Sequence, residues 1–304
     1  KDDILDYDGT KSVGKPLGVD VLEQKITIPL LGAFASASVE EEAEIRSKVA
    51  EIVAHPEYRD EIEEFAKKKE NTLFILCNPH NPVGRIWTRD ELSRVGELCK
   101  KHGVTVISDE IHCSLTDPCV DSYTPFASVS DTCGDISITC VSASKAFNLA
   151  GLQCSAVIVP NQQLRHKVWR GINTDEVGEP GAFAMCASIA AYRNGGEWLD
   201  AVREYIYENK QYVRRFVAEK MPRLSVVDSD ATYLLWIDVS AYTDNSEEFA
   251  KRLRALTGLY VSDGVEYGRG GEHFIRLNVA TRRANVTDGM QRLLRGIKIM
   301  ESEA

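Results

Sequence analysis

Short apolar runs separated by polar, turn-prone stretches dominate the middle of the chain. Thr72-Leu73-Phe74-Ile75-Leu76-Cys77 reads as a buried strand, because a continuous apolar run this short, bounded by turn residues, suits a strand better than a helix. The next element opens on Thr88-Arg89-Asp90-Glu91. That is a capping box, in which the Thr88 hydroxyl and the Glu91 carboxylate cover N–H groups that a helix start leaves free. Leu92, Val95, Leu98 and Cys99 follow at helical spacing, and Gly103 supplies the C-terminal stop. Val104 to Ser108, Ile136 to Val141 and Ala156 to Val159 read as three further strands. Strands with few charges, separated by helices, predict an α/β fold on a mostly parallel sheet covered on both faces.

The pattern changes after about Gly196. Glu197 to Met221 predicts a long, charge-rich amphipathic helix. A strand (Tyr233 to Val239), a helix (Ser246 to Leu256), short strands (Leu259 to Ser262, Phe274 to Val279) and a final helix from about Val286 follow. The expected organisation is a large domain over residues 1–197 and a smaller α+β domain over 198–304. Before residue 70 the pattern is weaker. Lys25 to Leu31 fits a strand, and Glu40 to Ala54 and Tyr58 to Lys69 fit exposed, charged helices. The chain carries no internal repeat and no low-complexity segment.

Composition narrows the function classes. The 304 residues are 43% hydrophobic and 27% charged, as in a globular protein. A formal net charge of −10 and a pI of about 5.2 argue against nucleic-acid binding, which relies on Lys and Arg neutralising phosphates. No apolar run approaches the roughly 18 residues that suggest a membrane span. Lys1-Asp2-Asp3-Ile4 lacks the basic-then-apolar pattern of a signal peptide. None of the eight cysteines form a CxxC pair, so no zinc site or other metal centre is expected. Reduced core thiols in a cytoplasmic protein are the expectation.

In open α/β sheets, ligands bind beyond the carboxyl ends of the strands. The first predicted strand runs into Asn78-Pro79-His80-Asn81-Pro82-Val83-Gly84, the second into Asp109-Glu110-Ile111-His112, and the third into Ser142-Ala143-Ser144-Lys145. Three strand ends would thus aim an amide, a carboxylate with a histidine, and two hydroxyls with a lysine at one edge. Each group has a plainer reading: Asp109 as a helix cap, His112 as a core residue, the Asn-Pro pairs as turns, Lys145 as a solvated surface residue. Yet Lys145 is the only charged residue between Ser142 and Cys154. Taken together the set suits pyridoxal phosphate, which needs a lysine amine for its aldehyde, a carboxylate for its ring nitrogen, a donor for its phenolate oxygen, and hydroxyls for its phosphate.

These runs resemble class I/II aminotransferases and, more narrowly, the MalY/PatB-type cystathionine β-lyases. The resemblance rests on Asn78 to Thr88, Val106 to His112 and Ser142 to Leu152, and continues through Asn173-Thr174-Asp175-Glu176 and Trp198-Leu199 to Phe274-Ile275-Arg276-Leu277-Asn278. It covers roughly residues 70–299. It implies the aspartate-aminotransferase-like fold of pyridoxal-phosphate enzymes, a homodimer, and carbon–sulfur β-lyase activity on a sulfur amino acid. Lys145 would carry the cofactor as a Schiff base and move the substrate α-proton. Asp109 would pair with the ring nitrogen, and Asn81 would touch both the phenolate and the substrate carboxylate. His112 would stand where many aminotransferases place a tyrosine, Ser142 and Ser144 would meet the phosphate, and Arg276 would clamp the α-carboxylate. The plain alternative for Arg276 is an exposed strand arginine.

The family's phosphate-holding glycine turn and ring-stacking aromatic have no recognisable counterpart before residue 70, where Tyr7 and Phe34 stand without a supporting motif. Three other readings compete. One is class I/II transamination. Another is an interaction protein that keeps the fold without turnover. The last is a P-loop ATPase, since Gly9-Thr10-Lys11-Ser12-Val13-Gly14-Lys15 matches a phosphate loop, but Pro16 replaces the Ser or Thr that Mg²⁺ needs.

Overall fold

The structure is a computed structural model that describes residues 37–58, 60–62, 65, 72–120, 122–268 and 270–303. Lys25 to Leu31, the Gly9 to Lys15 run, Tyr7 and Phe34 lie outside the described residues. The chain divides into two compact units, residues 1–75 with 95–107, and residues 76–94 with 108–304.

In the first unit, α1 (Val39–Glu51) begins at a capping box that the pattern did not single out. Ser38 Oγ accepts from the Glu41 N–H (3.1 Å), and Glu41 Oε2 accepts from the Ser38 N–H (2.8 Å). The helix buries Ile45 and Val49 in a small cluster with Ile52 and Ile62. Of the predicted Tyr58 to Lys69 helix, residues 58, 60–62 and 65 are described, and they are helical.

Next come β1 (Leu73–Cys77), α2 (Arg89–Lys101), β2 (Thr105–Asp109), α3 (Asp131–Asp135), β3 (Ser137–Val141), the single turn α4 (Ala143–Ala146) and β4 (Ala156–Ile158). The four strands form one sheet in the order β1-β2-β3-β4. The Thr105 N–H donates to the Thr72 carbonyl and the Asn78 N–H to the Asp109 carbonyl, so β1 and β2 advance together, in parallel. β4 departs from that pattern: it pairs antiparallel with β3, Thr139 opposite Ile158. Its Val157 and Ile158 are exposed. The predicted box starts α2, with Glu91 Oε2 accepting from the Thr88 N–H (2.9 Å) and Thr88 Oγ1 from the Glu91 N–H (3.3 Å). Gly103 follows at φ +68°, where a side chain would be strained.

The remainder of the second unit holds α5 (Gln162–Thr174), α6 (Ala184–Asn194), α7 (Gly196–Lys220), β5 (Ser225–Val226), β6 (Leu234–Asp238), α8 (Ser246–Thr257), β7 (Ser262–Asp263), β8 (Phe274–Asn278) and α9 (Arg283–Ser302). Its antiparallel sheet has the order β5-β6-β8-β7. Val213 and Val217 of α7, Leu253 of α8 and Met290, Leu293 and Ile297 of α9 close over Leu235, Ile237 and Ile275 of that sheet. Each such side chain contributes roughly 1.5–3 kcal/mol on burial. The long helix and the strand–helix alternation match the periodicity. The helices α5 and α6 do not follow from it.

Candidate active site

The strand ends bring the predicted groups into one neighbourhood of the second unit. Asn78 at the end of β1 is fully buried and spent on structure. Its side chain donates to the Thr124 carbonyl (3.1 Å) and accepts from the Trp87 N–H (3.2 Å), while its carbonyl accepts from the Tyr123 hydroxyl (2.9 Å). That leaves Asn81 as the amide available to the site. Glu110 is likewise committed, accepting from the Ser108 hydroxyl (2.8 Å) and the Phe126 N–H (3.0 Å).

Asp109 closes β2 and is half-buried. Its Oδ1 accepts from the Ile111 N–H (3.2 Å), and Oδ2 has no hydrogen bond among the described residues. Burial pushes the carboxyl up, while the Ile111 N–H and the Lys145 charge pull it back. His112 is buried, and its Nδ1 has no hydrogen-bond partner among the described residues. Its ring meets Tyr233 edge-on, 5.6 Å between centroids. Burial pushes the imidazole down to about 4, and the positive charges of Lys145 and Arg276 push the same way. These two cations are therefore within electrostatic reach of the histidine.

Lys145 sits on α4, whose N-cap is Ser142. Ser142 Oγ accepts from the Ser144 N–H (3.0 Å) and donates to the Cys154 carbonyl (2.7 Å), and the two serine hydroxyls lie 2.6 Å apart. Ser142, Ser144 and Lys145 line a cavity of about 320 Å³ together with Gln153, Cys154 and Ser155. Gln153, at φ +49°, was not singled out by its sequence context. Lys145 also borders a second, larger cavity of about 600 Å³.

Arg276 enters from β8. It donates to Asn81 Oδ1 (3.2 Å) and Ser262 Oγ (3.2 Å), and its guanidinium lies over the Tyr267 ring at 4.7 Å. Stacking and two hydrogen bonds hold the planar group in one orientation. It is half-buried rather than an exposed strand arginine. Sequence reasoning found Arg276 and Asn81 separately; their direct hydrogen bond joins positions 195 residues apart.

One turn ties these segments together. Gly84 accepts at its carbonyl from the Asp230 and Ala231 N–H groups (2.9 and 3.0 Å). A Cβ at Gly84, which has φ +79°, would lie 2.6 Å from the Ala231 carbonyl. The Thr232 N–H donates to the Leu115 carbonyl, and the Asp117 N–H to the Asp230 carbonyl. Beneath the turn, Lys210 of α7 is fully buried, its Nζ 2.7 Å from both oxygens of Asp117 and 3.3 Å from the Ala231 carbonyl. The loops carrying Asn81 and His112 are thus anchored on residues 229–232, just ahead of β6, which pairs with Arg276 through Trp236.

Among the described residues, no group of three or more His, Cys, Asp or Glu is arranged to hold a metal, and no helix is long and apolar enough to cross a membrane. The eight cysteines are thiols rather than disulfides; Cys99 and Cys133 are buried, whereas Cys77, Cys140 and Cys154 are only half-buried.

The chain is similar to several known proteins. Cystathionine beta-lyase PatB of Bacillus subtilis is 45% identical over 222 residues, covering 73% of this chain and 57% of that protein. Protein MalY of Escherichia coli is 32% identical over 238 residues, covering 78% and 60%. The chain therefore spans about three fifths of the length of these relatives. Cystalysin of Treponema denticola, solved with pyridoxal 5'-phosphate, superimposes with a TM-score of 0.73 at 29% identity, over 76% of this chain and 58% of cystalysin. The C-S lyase of Staphylococcus hominis, solved with the same cofactor, gives 0.69 at 33% identity, over 78% and 61%. The family model for aminotransferase class I and II matches residues 53–293. With most of its length inside that match, the chain belongs to the class I and II aminotransferase family and has its pyridoxal-phosphate-enzyme fold.

Proposed function

We propose that this chain is a pyridoxal-phosphate-dependent carbon–sulfur β-lyase acting on a small sulfur amino acid. The observation that carries the reading is the convergence of Lys145, Asp109 and His112 with the joined pair Asn81–Arg276. Its likeness to proteins named cystathionine beta-lyase and C-S lyase supports the choice of reaction.

The residues present fit the cofactor. Asp109 Oδ2 is open to a ring N–H, and His112 Nδ1 is a buried polar atom without a hydrogen-bond partner among the described residues. The 320 Å³ cavity beside Lys145 offers the Ser144 hydroxyl to an anion, with Ser142 holding that residue through its own Oγ. When bound, the cofactor supplies an electron sink for the substrate α-carbon. Arg276 and Asn81 bind and orient the α-carboxylate, and Asp109 balances the positive charge of the ring nitrogen. His112, neutral at physiological pH, occupies the site without adding a competing cation. Lys145 holds the cofactor and then moves the proton from the α-carbon. The bond from the β-carbon to sulfur breaks with its electron pair leaving on sulfur. One water is consumed, and a thiol, pyruvate and ammonium leave. In this reading the working form is a cytoplasmic homodimer, which light scattering of the purified protein checks.

Borohydride reduction of the protein with pyridoxal phosphate should fix a pyridoxyl group on Lys145. A peptide map placing the adduct on another lysine refutes that role. Incubation with L-cystathionine should release pyruvate and thiol; exchange of keto acids without thiol release would identify a transaminase instead.

A further inference from the structure

The 600 Å³ cavity on the other side of Lys145 is not used by the cofactor in this reading. Its walls are largely apolar, formed by Leu115, Trp198, Val202, Ile206 and Tyr233. Lys145 is the sole charged side chain among the described residues that line it. Trp198 is held by its ring stacking on Phe147, 5.9 Å between centroids, yet 49% of its surface is exposed. A fixed aromatic that keeps half its face uncovered is a ready contact surface.

The cavity begins one step from the proposed carboxylate anchor. Side chains alternate along a strand, so Asn278 shares the face of Arg276 on β8, and Asn278 lines the cavity. Tyr233, which meets His112 edge-on, lines it too. An amino acid with its carboxylate on Arg276 and its α-carbon at Lys145 therefore has this cavity adjoining its side-chain end.

We propose that this cavity binds the group attached to the substrate sulfur and selects uncharged, apolar substituents over charged ones. The proposal rests on the lyase reading above for the identity of the substrate. The physical ground is the lining. The homocysteine end of cystathionine carries an ammonium and a carboxylate; among the described residues that line the cavity there is no carboxylate for the ammonium, and the one cation is Lys145, which in this reading holds the cofactor. Placing unpaired charge against apolar walls is unfavourable, whereas an aryl or alkyl group gains by leaving water there. A site of this kind, mostly apolar with a few neutral polar groups such as Asn148 and Asn278, is the usual form of a small-molecule pocket.

The test uses the 304-residue protein and two thioethers, S-benzyl-L-cysteine and L-cystathionine. Binding is read from the fluorescence change of Trp198, identified as the part lost in Trp198→Phe. The expected result is a Kd for S-benzyl-L-cysteine at least ~10-fold below that for L-cystathionine, about 1.4 kcal/mol. Ala201 lines the cavity from the exposed side of α7, so Ala201→Phe should fill it without disturbing the core. That variant should raise the Kd for S-benzyl-L-cysteine at least ~10-fold while leaving the melting temperature unchanged. Equal affinities for the two thioethers, or an Ala201→Phe protein that binds S-benzyl-L-cysteine normally, would overturn the proposal. Turnover with added pyridoxal phosphate separates the two ideas. Discrimination in binding without thiol release from either compound removes the lyase reading and keeps the pocket. Thiol release from both at equal kcat/KM removes the pocket and keeps the lyase.

Discussion

His112 gives the candidate site a measurable dependence on pH. The ring is 4% exposed, and burial, with Lys145 and Arg276 adding to it, pushes the imidazole from 6.5 down to about 4. In the unfolded chain the same ring takes up a proton near 6.5. Between these values the unfolded state binds a proton that the folded state refuses, so stability is present in full above pH 6.5 and is lost as the pH falls towards 4. At about 1.4 kcal/mol per pH unit, the loss is about 2 kcal/mol at pH 5 and about 3 kcal/mol below pH 4. The perturbation is His112→Gln, which cannot titrate. Urea unfolding of both proteins without cofactor, at pH 7.5 and pH 5.0, gives two changes in stability, and their difference isolates the histidine because the other groups cancel. The original protein should lose about 2 kcal/mol more than the variant over that interval. An identical pH dependence in the two proteins would show that the ring finds water or a partner when it is charged, and would refute the buried, neutral histidine.

Three further substitutions follow from the geometry. Arg276→Lys keeps the charge but loses the planar fork held by Asn81, Ser262 and Tyr267; with a charge-assisted bond worth about 1.5–3 kcal/mol, KM for an amino-acid substrate should rise at least ~10-fold, and an unchanged KM returns Arg276 to a purely structural role. Asp109→Asn removes the carboxylate that faces Lys145, so titration with pyridoxal phosphate, followed by absorbance, should show affinity reduced by at least ~10-fold; full affinity would mean another group balances the ring. Lys210→Met leaves the buried Asp117 carboxylate without its partner and should cost about 3–5 kcal/mol in urea unfolding. Adding Asp117→Asn should recover part of that loss, and a double variant no more stable than the single one would argue against the ion pair as the cause.

What was legible in the sequence was whatever its own neighbours enforce. The Thr88–Glu91 box caps α2 because both partners lie within one turn. The strands β1, β2 and β3 were visible because their apolar runs are short and end in turn-forming or chemically loaded residues. Helices α5 and α6 were missed for a physical reason. None of the α5 residues are buried, and α6 buries only Ala184 while Met185, Ile189 and Tyr192 remain exposed. A hydrophobic period marks a helix when one face packs inward, and within this chain neither helix has a substantial inward face. The sense of β4 was not legible, for a different reason. Its apolar run matched a strand, but direction depends on the connection, and the short path from β3 through α4 and Leu152 brings it back antiparallel.

Site residues were legible in proportion to how local their chemistry is. Lys145, Asp109 and His112 each sit one or a few residues past a strand end, so topology alone places them at a common edge. Lys210 shows the opposite case. In α7 it lies among Glu204, Glu208, Arg214 and Arg215, and there it reads as one more charge on a solvated face. Its burial is created by Asp117, 93 positions earlier, and by the Ala231 carbonyl. Burial pushes the Asp117 carboxyl up and the Lys210 ammonium down, and each charge opposes the shift of its partner. Neither group would be buried as an ion alone, so the arrangement exists only once both segments have met. No local pattern can announce such a pair. Nor could one announce that the same contact anchors the turn at 229–232, on which the Asn81 and His112 loops rest.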